Sequence, residues 1–172
     1  MKSTAINTLR YTGIVTVSRY IKQKKIKLAQ VKNTGGLPLF NFFSECLAGD
    51  YRLAEVYRPA KILLLNYKEE LVDGATKLTF SPASDDFVHL MAKPEKVFNP
   101  SASTVRYSFI ISGDMLQSAK FNSIGLYAES ATLDTCKDFA AFCRVDELAN
   151  LSISPSSILV VDWELNILNK IS

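Results

Sequence analysis

The segment ILVVDWELNI at 158–167 sets Leu159, Val161, Trp163, Leu165 and Ile167 on one side of an extended backbone and Asp162, Glu164 and Asn166 on the other. Successive side chains of a strand point to opposite faces, whereas the apolar residues of an amphipathic helix recur every three or four positions. Alternation sustained this long therefore admits a half-buried strand and excludes a helix. The same period runs through TVRYSFIIS at 104–112, where Val105, Tyr107, Phe109 and Ile111 face one way, and through Val15, Val17 and Ile21 of RYTGIVTVSRYI at 10–21. Half-buried strands so far apart in the chain must cover their apolar faces with one another or with a second layer, which points to a β-rich domain.

The rest of the chain fills in that frame. KQKK at 22–25 interrupts the first strand with solvated charge, and IKLAQVKN resumes it with a slip of phase near Ala29, the pattern of a hairpin with a bulge. NTGGLPLFNFFSECLAGDY at 33–51 changes the period: Leu39, Phe40, Phe43, Cys46 and Leu47 recur at spacings of three and four. Pro38 suits a first helical turn and Gly49 a helix stop, so one amphipathic helix of about three turns is predicted here. YRPAKILLLNY at 57–67 is apolar on both faces from Ile62 to Leu65, which predicts a central strand. Residues 68–101, punctuated by Asp73-Gly74 and Ser81-Pro82, carry the weakest pattern and predict long loops with short strands. FNSIGLYAES at 121–130 reads as a short strand, and DFAAFCRVDEL at 138–148 fits either a strand or a helical turn. The expected fold is mainly β: an antiparallel, sandwich-like domain with one helix near its N-terminus, residues 1–172 forming a single unit.

Composition narrows the class of protein. With 48% hydrophobic and 22% charged residues the chain has the balance of a folded domain. No apolar run approaches the roughly 20 residues of a membrane-spanning helix, and the N-terminus lacks the apolar region of a secretory signal. No membrane partner is expected, and synthesis in a cytoplasm is. Cys46, Cys136 and Cys143 lack paired spacing and predict neither a disulfide framework nor a zinc site. Charge is uneven: positions up to 44 hold eight basic and no acidic residues, leaving twelve basic and seventeen acidic residues for the remainder. Such asymmetry suits a nucleic-acid surface, or copies that stack basic face against acidic face.

Residues capable of chemistry are sparse. The sole imidazole is His89, flanked by Val88, Leu90 and Met91 as in a short strand, with no nucleophile turn of the GxSxG kind. Carboxylates occur as the adjacent pairs Glu69-Glu70, Asp85-Asp86 and Asp146-Glu147, which on a strand point to opposite faces rather than toward one substrate. NTGG lacks the Lys-Ser/Thr of a phosphate loop, and Asn150 opens a sequon that needs a secretory route to matter. No enzyme, cofactor or metal site is predicted. Arg19, Lys22, Lys24, Lys25 and Lys27, gathered around one hairpin, are the candidate partner interface; the competing reading is a solubilising, edge-protecting loop.

Several stretches taken in order resemble a type of structural protein of tailed-bacteriophage virions. They are the early hairpin, VKNTGGLPLFNFFSECLAGDY, YRPAKILLL, then RYSFIIS, FNSIGLYAES, FCRVDEL and SPSSILVVDWELNI, spanning most of residues 10–168 except 68–101. The resemblance lies in their order, since none of them is specific alone. It implies a non-enzymatic building block of the virion, such as a ring, collar or head-fibre protein at the head-tail connector, with phages of the crAss-like group as one source. Its partners would be copies of itself, a homo-oligomer, and other virion proteins such as portal, ring or fibre proteins, with packaged DNA as a further contact. In that setting Gly125 would leave room for a close neighbour and the last strand would complete a sheet. A receptor- or glycan-binding β-sandwich at a fibre is the alternative, with Tyr51, Tyr57 and the 68–101 loops as candidates.

Overall fold

A computed structural model of the protein describes residues 8–35, 37–65, 69–72, 75–78, 90–92, 94–101, 103–116, 121–128, 140–148 and 153–170. Along them run β1 (Thr8–Ile21), β2 (Lys24–Gly35), α1 (Leu37–Ala48), α2 (Tyr51–Tyr57), β3 (Pro59–Leu65), β4 (Glu69–Val72), β5 (Ala75–Leu78), β6 (Leu90–Ala92) and β7 (Lys96–Ser101). They continue as β8 (Thr104–Ser112), β9 (Ser123–Ala128), β10 (Ala141–Arg144) and β11 (Ile158–Lys170), with 3-10 turns at Gly113–Leu116 and Asp146–Leu148. The fold is mainly β, antiparallel and sandwich-like.

Nine strands join in the order β6-β3-β9-β10-β2-β1-β11-β8-β7, while β4 and β5 pair only with each other among the described residues. The strand β2 turns the corner between two halves: Gly13 to Ile21 of β1 pair with its Lys24–Asn33 stretch, whereas its Thr34 and Gly35 pair with Phe142 and Ala141 of β10. Inward faces of both halves meet in one apolar cluster, with Val17, Phe109, Val161 and Trp163 from one and Ile62, Leu64, Ile124 and Leu126 from the other. Burial of each such side chain contributes roughly 1.5–3 kcal/mol, and Trp163 is the largest of those fully buried.

The period-two reading is borne out strand by strand. Tyr107, Phe109 and Ile111 of β8 and Leu159, Val161, Trp163 and Leu165 of β11 are buried together, in register as Tyr107 with Trp163 and Phe109 with Val161. Ile62, Leu63 and Leu64 of β3 are each fully buried, as expected for a strand covered on both faces. Gly125 also has a close neighbour. A Cβ there would stand 2.6 Å from Cε2 of Tyr127, so the Tyr127 ring lies back along its own strand over Gly125. The ambiguous 138–148 stretch is both things in turn, strand β10 followed by a 3-10 turn.

The bulge expected near Ala29 is present: β1 shifts register between Val17 and Ser18, opposite Ala29 and Lys27, leaving Leu28 as the extra residue of β2. One difference from expectation has a local cause. A second helix, α2, follows the predicted one. Its signal is Asp50, whose Oδ1 accepts a hydrogen bond from the Leu53 backbone N–H at 3.2 Å and so caps the helix that Gly49, at φ +78°, separates from α1. Seven residues are too few for helical periodicity to announce themselves. In the 68–101 region β4, β5, β6 and β7 are short strands, as expected, and residues 79–89 lie outside the described ones.

Candidate functional site

The hairpin of β1 and β2 ends in a two-residue loop, Lys22-Gln23, with φ of 46° and 67°. Left-handed conformation at both loop positions is the mark of the turn whose twist matches a right-twisted hairpin, and Asn-Gly is its favoured sequence. Lys and Gln there cost roughly 1–2 kcal/mol per residue in contact between Cβ and the following carbonyl. The tip thus carries a charged Lys where conformational ease asks for asparagine, and Gln where it asks for glycine.

Of the five basic residues singled out in the sequence, four gather near this tip. Lys22, Lys24, Lys25 and Lys27 are exposed. Lys25 is already engaged: its Nζ lies 3.6 Å from Asp162 Oδ2 of β11 and 5.8 Å from the centroid of the Tyr20 ring. Lys27 donates to Gln30 Oε1 at 2.9 Å. Arg19 does not join them. It is level with Leu159, a core residue, and so faces the inner side of the hairpin, with its Nε out of contact with solvent. Lys22 and Lys24 are exposed at the tip, Lys24 level with Ile21 on the face opposite Lys25.

Beside the tip the outer face of β1, β11 and β8 forms a shallow groove of about 350 Å³ lined by Tyr20, Lys25, Ser108, Ile110, Ile158, Val160 and Asp162. Ile110 and Ile158 are 49% and 42% exposed. From the groove's edge onward the same face carries polar cross-strand pairs. Ser108 donates to Asp162 at 2.6 Å, Arg106 pairs with Glu164, and Thr104 donates to Asn166 at 2.6 Å. Sequence reasoning missed the groove, yet its signal was present: FII at 109–111 and ILVV at 158–161 are apolar at the positions that alternation reserves for polar residues.

A second apolar surface lies on the helix pair. Phe40 and Leu47 of α1 and Tyr51, Leu53 and Val56 of α2 are exposed, Leu47 at 84% and Tyr51 at 73%. The inner side of α1 supplies Leu39, fully buried, and Phe43 to the core. The helical spacing in the sequence puts Phe40 and Leu47 on one apolar stripe with Leu39 and Phe43; the structure divides that stripe between core and solvent. Tyr57, the other aromatic candidate, is half-buried.

The remaining candidates do not come together. His89, Asp85, Asp86, Cys136 and Asn150 lie outside the described residues, and of Glu69 and Glu70 only the backbone is described. Asp146 and Glu147 are exposed on a 3-10 turn, where Arg144 Nε donates to Asp146 at 2.6 Å. Cys143 is buried on β10, and that desolvation pushes its thiol up to about 12. Burial likewise raises the Tyr107 phenol to about 12, against an opposing pull from the Arg58 charge. Among the described residues no three His, Cys, Asp or Glu gather as a metal cluster, and no helix is long and apolar enough to cross a membrane. Comparison with protein-family models, curated proteins and solved structures returns no match.

Proposed function

We propose that this chain is a non-enzymatic structural component of a bacteriophage virion, assembling in several copies at the head-tail connector, tail ring or collar through contacts between subunits. Support comes from the order of segments between residues 10 and 168 set out above. The observation that carries the proposal furthest is the Lys22-Gln23 tip. A charged loop held in an unfavourable conformation, at the end of strands of 14 and 12 residues, suits selection for contact over conformational ease. Its counterpart is an acidic surface of a neighbouring subunit, with portal, ring or fibre proteins as further partners and packaged DNA as the competing polyanion.

The receptor-binding alternative draws on Tyr51 and Tyr57. Tyr57 is half-buried, and Tyr51 is accompanied by exposed Leu47 and Leu53, apolar company that suits a protein partner better than a sugar.

The test is incorporation of Lys22→Glu/Lys24→Glu/Lys27→Glu into particles. Lys25 is left in place because a carboxylate there would face Asp162 and disturb the sheet itself. The variant is expected to fold as the parent does and to be absent from particles; incorporation at the parental level contradicts the proposal.

A further inference from the structure

We infer that the apolar face of the helix pair in one copy docks into the groove beside the hairpin tip of the next. This rests on the building-block reading above and names the surfaces it would use. Three observations lead to it. First, the two exposed apolar surfaces differ in shape. Tyr20, Ile110, Ile158 and Val160 make a concave floor on a sheet, whereas Leu47 and Tyr51 protrude from a helix junction, 84% and 73% exposed. A projecting aromatic seated in an apolar depression, with polar groups at the rim, is the usual form of a binding anchor.

Second, their rims carry opposite charge. The groove is lined by Lys25, with Lys27 level with Ser18 on the same face, while Glu45 and Asp50 flank Leu47 and Tyr51 in sequence, with Arg52 the one opposing charge between positions 45 and 53. Asp50 holds the α2 N-terminus through a single oxygen, leaving the other for a lysine.

Third, the surfaces belong to opposite ends of one strand. The groove adjoins the start of β2 at Lys25, and α1 begins two residues beyond the end of β2 at Gly35. Twelve strand residues separate those ends, about 35–40 Å at the usual rise. A contact between two different surfaces so separated is heterologous, and it propagates from copy to copy until the rotation closes a ring.

The experiment pairs two variants, each blocking one surface at exposed positions. Ile110→Asp/Ile158→Asp fills the groove with charge, and Leu47→Asp/Tyr51→Asp does the same to the helix face. Circular dichroism and melting establish that both remain folded, and light scattering gives their masses alone and mixed. Each alone is expected at the monomer mass of 19.1 kDa. Mixed in equal amounts they should form a pair of twice that mass and grow no further, because each supplies the surface the other lacks. A mixture that remains monomeric overturns the inference, as does either variant assembling like the parent. In the latter case the building-block reading survives with other contacts; a parent protein that stays monomeric throughout removes both.

Discussion

Lys22 and Gln23 show how much a single backbone conformation can reveal. Their positive φ values identify a loop that Asn-Gly would form with less strain. Lys22→Asn/Gln23→Gly is therefore expected to stabilise the isolated domain, by roughly 1 kcal/mol, seen as a higher urea midpoint at unchanged slope. If the tip is a contact surface, the same variant should assemble less well although it folds better. Gly125 makes the complementary point about packing. A methyl group there meets the buried Tyr127 ring, so Gly125→Ala should cost roughly 1–3 kcal/mol. In a Tyr127→Ala background the same change should cost far less, and equal costs in both backgrounds would contradict the assigned contact. Room for a close neighbour at Gly125 was implied by the resemblance and not by the alternation, because a ring folding back along its own strand leaves no trace there.

Among the elements, those with the longest regular patterns were the most legible. The strands β1, β8 and β11 could be assigned with their faces because each is a long half-buried strand, and α1 because Pro38 and Gly49 bracket a helical spacing. The short α2 was not, and neither was the division of the α1 stripe, because periodicity states which residues share a face and not how much of that face is covered. The apolar groove was overlooked for the related reason that a contact surface breaks the alternation that a free surface keeps. The strand pair β8–β11 and strand β10 also give the domain a pH dependence. Folding keeps the proton on Tyr107 up to about pH 12 and on Cys143 likewise, whereas an unfolded chain releases them near 10.0 and 9.0. Between those limits the unfolded state binds fewer protons, so stability falls as pH rises. The contribution is intact below pH 9 and lost progressively toward pH 12. Urea unfolding from pH 8 to 11.5 should show that decline, and Tyr107→Phe should flatten its upper part; an unaltered profile would contradict the burial assigned to the phenol.

At the scale of the molecule, a mainly antiparallel sandwich was readable from alternation, but the circuit of strands was not. That circuit depends on β2 bending from β1 to β10 over its last residues, a pairing set by tertiary contact. The charge asymmetry between the first 44 residues and the rest was also readable. Its meaning emerged with the fold, which commits Lys25 to Asp162, turns Arg19 inward and leaves Lys22 and Lys24 outside. A molecule whose groove carries Lys25, with Lys27 on the same face, and whose helix face is flanked by Glu45 and Asp50 is suited to joining copies of itself in sequence. Attraction of this kind weakens as the screening length shrinks, from about 10 Å at 0.1 M salt to about 3 Å at 1 M. The most direct measurement is the mass of the purified protein by light scattering at those two salt concentrations. A discrete assembly of several subunits at low salt, shifting toward 19.1 kDa at high salt, is the predicted result; the monomer mass at both, over the full range of attainable protein concentration, would contradict it.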